Sequence, residues 1–68
     1  METGLEKMRN KICNSDKWVQ VSQTENDFGD VTVRYYNETI DVSCDMFYEK
    51  DMDQELYITK MEFRDGVN

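Results

Sequence analysis

Residues 31–48 read VTVRYYNETIDVSCDMFY, and their period is two. Val31, Val33 and Tyr35 alternate with Thr32, Arg34 and Tyr36. Beyond Asn37 and Glu38 the alternation resumes, with Ile40, Val42, Cys44, Met46 and Tyr48 on one parity and Asp41, Ser43, Asp45 and Phe47 on the other. Successive strand residues point to opposite faces, so the stretch predicts two antiparallel strands, 31–36 and 39–48, each with one apolar face. A two-residue loop at Asn37 and Glu38 would set Arg34 opposite Asp41, Val33 opposite Val42, Tyr35 opposite Ile40 and Val31 opposite Cys44, all chemically matched pairs. Glu38 suits poorly a type I′ turn position that needs positive φ, and a longer or bulged loop is the alternative.

Upstream, the period lengthens to that of a helix. Thr3 and Glu6 have capping-box spacing, and Leu5, Met8 and Ile12 recur at intervals of three and four, which gathers them on one stripe. Glu2 and Glu6 near its start and Arg9 and Lys11 near its end suit the helix dipole, and Asn14, Ser15 and Asp16 end it. The stripe is expected to cover Val33, Val42 and Cys44. Residues 17–23 alternate Val19 and Val21 against Gln20 and Ser22 as a first strand. Trp18, on the polar parity, is either a core anchor beneath the helix or an outward interface residue, and its large aromatic area favours the core. Residues 24–30, rich in Asn, Asp and Gly, form a loop.

The last strand, 55–63, carries apolar residues on both parities near Leu56 to Ile58. Pairing Cys44 with Met61, Val42 with Phe63, Tyr48 with Tyr57 and Asp45 with Lys60 keeps charges out of the core. The rival register, with Met46 against Ile58, would set Lys60 opposite Cys44 and Glu62 opposite Val42. The expected fold is α+β: a single domain, 1–68, with one N-terminal helix packed on a four-stranded antiparallel meander (αββββ), its other sheet face open.

Composition narrows the chemistry. Fifteen Asp and Glu against eight Lys and Arg give a net charge of −7, and there is no histidine. A surface this negative repels phosphate backbones and anionic lipid, and the commonest general base and metal ligand is missing. Gly4, Gly29 and Gly66 are too scattered to cradle a phosphate, and no base stands ready to activate a nucleophile. No catalytic residue, cofactor or metal is expected. The carboxylates at 49, 51, 53 and 55 lack the turn glycine and distant bidentate glutamate of a calcium loop. Cys13 and Cys44 have no C-x-x-C partner and read as reduced, buried thiols, with a bridge between them as the alternative. The stretch from Met1 to Met8 has no apolar run that would act as a secretion signal or membrane span, so a cytoplasmic protein is expected.

What remains points to contact with another protein. Glu49, Asp51, Asp53 and Glu55 place a carboxylate at every second position, and Asp41 and Asp45 extend that row on the open face, able to present repeated negative charge to a surface built for phosphates. In the preferred register Phe47 and Ile58 face each other on the open side, with Leu56 diagonal to them, as an apolar patch within that row. The expected function is a non-enzymatic protein-binding module that inhibits by occupying a basic, nucleic-acid-binding surface of a partner, with no direct nucleic-acid or membrane contact. In size and charge the chain is similar in general character to small phage-encoded inhibitors of host defence, including anti-restriction and anti-CRISPR proteins. Self-association through the open sheet face, as a homodimer or a structural or regulatory protein, is the alternative.

Overall fold

In the computed structural model, which describes residues 2–67, a helix α1 (Gly4–Cys13) precedes four strands. Met1, the first residue of the stretch read for a signal, lies outside them. The strands are β1 (Trp18–Glu25), β2 (Val31–Asn37), β3 (Val42–Lys50) and β4 (Leu56–Asp65), antiparallel in the order β1-β2-β3-β4. The expected αββββ meander is the fold. The helix begins as its sequence dictates: the Glu6 N–H donates to Thr3 Oγ1 at 3.1 Å, and Glu6 Oε1 accepts from the Thr3 N–H at 3.0 Å. The Thr3 backbone and hydroxyl hydrogen bonds also hold the Glu6 carboxyl below its ordinary value.

The core is small and lies between the helix and one face of the sheet. Ile12 (3% exposed), Cys44, Met46 and Ile58 form its buried centre, with Leu5, Trp18, Tyr35, Tyr48 and Met61 packed around them. Met8, expected beside Leu5 and Ile12, is exposed, and Val33 and Val42 are half-buried outside the central cluster. Trp18 is the core anchor of β1, its ring edge-on to Phe63 with centroids 6.4 Å apart. Consequently Val19, next to Trp18 and on the opposite parity, is exposed. One indole buries more apolar area than either valine, so the tryptophan decides which parity faces in.

Two registers differ from expectation. Arg34 pairs with Asp45, Val33 with Met46, Tyr35 with Cys44 and Val31 with Tyr48, a slip of four from the two-residue hairpin. The connection is instead a four-residue loop, 38–41, in which Asp41 takes positive φ (53°) and Ile40 is exposed rather than paired. An even slip keeps every side chain on its expected face, and this one gives Arg34 a buried carboxylate as partner.

Between β3 and β4, Cys44 pairs with Phe63, Met46 with Met61 and Phe47 with Lys60, after which the register shifts so that Tyr48 pairs with Ile58. Thr59 is the extra residue of a bulge, its hydroxyl donating to the Phe47 carbonyl at 3.3 Å. A bulge reverses the parity of the strand on its far side, which explains how Ile58 and Met61 both reach the core. Ile58 is therefore buried, not opposite Phe47 on the outer face. In β1 a second shift leaves Val21 as the extra residue. Each edge strand of the sheet is thus interrupted by a bulge, a feature that hinders edge-to-edge pairing with another chain.

Neither thiol is bridged. Cys44 is buried and its pKa is pushed up to about 11, chiefly by burial. Cys13, expected to be buried, is exposed, and its thiol donates to Tyr35 Oη at 3.4 Å. That hydrogen bond, with burial, raises the Tyr35 pKa to about 12.

Candidate functional site

In an antiparallel meander the first and third connections emerge at the same end of the sheet, and here they are built alike. In the β1–β2 loop, Asn26 Oδ1 accepts from the Phe28 N–H (2.9 Å) and the Asp30 N–H (3.0 Å). The Asn26 N–H donates to the Asp30 carbonyl (3.0 Å), the Gly29 N–H donates to the Asn26 carbonyl (3.1 Å), and Gly29 has φ 86°. In the β3–β4 loop, Asp51 Oδ1 likewise accepts from Asp53 and Glu55 (2.9 and 3.0 Å), the Asp51 N–H donates to the Glu55 carbonyl and the Gln54 N–H to the Asp51 carbonyl. Gln54 occupies the positive-φ position at 66°. Each connection, 26–30 and 51–55, closes through a residue in the left-handed region and is locked by the side chain of its first residue.

The left-handed position costs a glutamine energy that a glycine avoids. Gln54→Gly should therefore stabilise the protein by about 0.5–1 kcal/mol, raising Tm by about 2–8 °C in a thermal melt. A melt unchanged or lowered by this substitution would contradict the loop geometry.

These two loops concentrate the charge. Residues 25–30 and 49–55 carry seven carboxylates (Glu25, Asp27, Asp30, Glu49, Asp51, Asp53 and Glu55) and one cation, Lys50, so six of the seven net negative charges lie at this end. All seven are exposed except Asp30, which is half-buried, and none is ion-paired among the described residues. Lys50 lies along the first loop, where a Cβ added to Gly29 would meet its Cδ and Nζ at 3.2 Å. Phe28 is 87% exposed at one loop and Met52 97% at the other. Locked loops that hold large apolar side chains in water, ringed by unpaired carboxylates, form a surface suited to contact.

The chain matches no family model, no curated protein and no solved structure among those compared.

The carboxylate row read from the sequence is divided by the fold. Glu49, Asp51, Asp53 and Glu55 stand together on the second loop, although Asp51 spends one oxygen on holding it. Asp41 lies in the β2–β3 loop at the opposite end of the sheet and accepts from Tyr36 Oη at 2.6 Å, which raises the Tyr36 pKa. Asp45 leaves the row altogether. Its side chain is 3% exposed on the outer face, bound by Arg34 through Nε at 2.6 Å and Nη2 at 3.1 Å, and by Arg64 at 3.1 Å. The hydrogen bond to Arg34 holds its carboxyl below the ordinary value, with the charges of Arg34 and Arg64 adding to the effect against the opposing cost of burial. Beside it Ser43, also buried, donates to the Gly66 carbonyl, and Arg34 Nη1 donates to the Val67 carbonyl at 3.5 Å. The centre of the supposedly open face is therefore a filled polar cluster.

The apolar patch dissolves with the register. Ile58 is in the core, Leu56 is exposed at the start of β4, and Phe47 is half-buried beneath Lys60, whose Nζ stands 4.8 Å from the ring centroid. Phe28 and Met52, the exposed apolar tips of the two loops, are not among the expected contact residues. Asn-x-x-Gly-Asp at 26–30 was a legible signal for a closed loop, but the second loop hides the same turn behind a glutamine. Among the described residues there is no cluster of three or more metal-ligating side chains, and no helix long and apolar enough to cross a membrane.

Proposed function

We propose that this chain is a non-enzymatic, cytoplasmic protein-binding module that inhibits a partner by occupying its basic, nucleic-acid-binding surface with the two-loop end. The supporting observation is the coincidence at that end of six net negative charges with the exposed Phe28 and Met52. Such charge steers association with a basic surface and rejects acidic ones, while the apolar tips supply the anchors that charge alone lacks. Side-chain-locked loops lose little freedom on docking. The same field repels phosphates and anionic lipid, so the partner is a protein rather than nucleic acid or membrane. On this reading the chain acts in the manner of phage anti-restriction or anti-CRISPR inhibitors. Self-association through the outer sheet face has less support, because Asp45 and its two arginines fill the centre of that face and both edge strands are bulged.

The test is capture of a partner from extract of the native cell, followed by affinity measurement on the purified pair. Raising salt and adding duplex DNA should each release the partner. Asp27→Asn, Asp53→Asn and Glu55→Gln together should weaken binding about tenfold or more with the fold intact, as should Phe28→Ala with Met52→Ala. The triple variant leaves Asp51 in place because Asp51 holds its loop. A partner retained at high salt, in excess DNA, and by both variants would remove the proposal.

A further inference from the structure

Beside the loops, on the outer face, lies a groove of about 350 Å³. Phe47 and Thr32 lie side by side across β3 and β2, Lys60 adjoins Phe47 on β4, and Asn26, Asp30 and Glu49 also line it. The Phe47 ring already receives a cation, since the Lys60 ammonium stands 4.8 Å from its centroid. Lys60 is nevertheless weakly held: its other partner is Glu62, at 2.7 Å, and the two side chains are 59% and 44% exposed, so water screens the pair. Asp30 and Glu49 line the groove without an ion-pair partner among the described residues. The groove thus joins an aromatic face that binds a cation to two uncompensated carboxylates, inside the most negative region of the molecule.

We infer that this groove receives an arginine side chain of the protein partner, its guanidinium taking the face of Phe47 that Lys60 covers in the free protein, with Asp30 and Glu49 as counter-charges. The inference rests on the basic partner of the proposed function and adds where one of its residues is bound. A guanidinium is planar and less strongly hydrated than an ammonium, so it stacks on a ring and meets carboxylates better than the lysine it displaces. Lys60 acts as a place-holder that keeps Phe47 covered until the partner arrives.

The probe is a capped peptide of alternating arginine and glycine, compared with its lysine counterpart, titrated into the protein and followed by amide chemical shifts. The arginine peptide should bind about threefold or more tightly than the lysine peptide, with shifts centred on Thr32, Phe47 and Lys60. Lys60→Met and Lys50→Met remove the same charge from the same half of the molecule. Lys60→Met should tighten binding about threefold beyond Lys50→Met, because it alone removes the cation that competes for the Phe47 face. Phe47→Leu should weaken binding about threefold to fivefold, and the exposed Lys60 provides the test even should Phe47→Leu disturb the sheet. Equal effects of the two lysine substitutions, or no preference for arginine, would overturn the groove as the binding place. That result is separable from failure of the proposed function, which is read from partner capture with the loop variants and their intact groove.

Discussion

Ile12→Ala should cost about 3–4 kcal/mol and lower Tm by about 12 °C or more. Ile12 is the buried residue of the helix, and it closes a core whose buried centre otherwise comprises Cys44, Met46 and Ile58. Truncation there removes three methyl or methylene groups from a contact that few neighbours can collapse to fill. Alanine is the better helix former, so the substitution gains a few tenths of a kcal/mol in propensity, and the loss measured is one of packing. A 68-residue domain has roughly 3–10 kcal/mol of stability, so the substitution removes a large fraction of it. Met8→Ala provides the comparison, since Met8 lies on the same helix but is exposed, and it should cost about 1 kcal/mol or less. Equal melts for the two variants would show that the helix does not close the core through Ile12.

The second large effect concerns a charge that the fold withdraws from the surface. Asp45→Asn should cost about 3 kcal/mol, because it leaves two guanidinium groups facing each other across a site that had held a carboxylate. The value falls at the low end for a broken buried pair, since the Arg34 and Arg64 side chains are 27% and 45% exposed and keep some water. The pH dependence is a separate signature. In the folded protein the Asp45 carboxyl is held below its ordinary 3.8 by Arg34 and then Arg64, so on acidification the unfolded chain takes up this proton first. The stabilisation is therefore complete above the unfolded value and is lost as the pH falls through the folded one. Wild-type and Asp45→Asn stabilities, measured by denaturant at a series of pH values, should differ most near neutrality and converge from about pH 5 downwards. Curves that stay parallel into acid would mean that Asp45 is not ionised in the folded protein.

The division of Asp45 from Glu49, Asp51, Asp53 and Glu55 illustrates why the candidate site was only half legible. Alternation placed Asp45 and Phe47 on the outer face, and both are there. Whether an outer-face residue meets water depends on what crosses it, and Arg34 came opposite Asp45 only through a four-residue slip in the hairpin. The slip puts positive φ on Asp41 rather than on Glu38, and the short polar Asp tolerates that region better, a local preference too small for a single sequence to settle the register. Ile58 was misplaced for a related reason. One inserted residue, Thr59, reverses the parity of β4, and only the partner strand reveals an insertion.

Local chemistry in the chain determined the helix with its Thr3 cap and the four strands and their order, because these follow from spacings of a few residues, and composition alone set the absence of histidine and the overall negative charge. The size of Trp18 favoured the core over an outward position, and the structure places it in the core. Tertiary structure decided the registers, the two bulges, the burial of Asp45 between two arginines and the exposure of Met8 and Cys13. It also brought two loops 25 residues apart to one end of the sheet, each closed by the same hydrogen bonds, so that a charge spread along the sequence became concentrated around Phe28 and Met52. The physical reason is that hydrogen-bonding periodicity is a property of the backbone, whereas register and charge juxtaposition are set by which distant side chains gain most from facing each other.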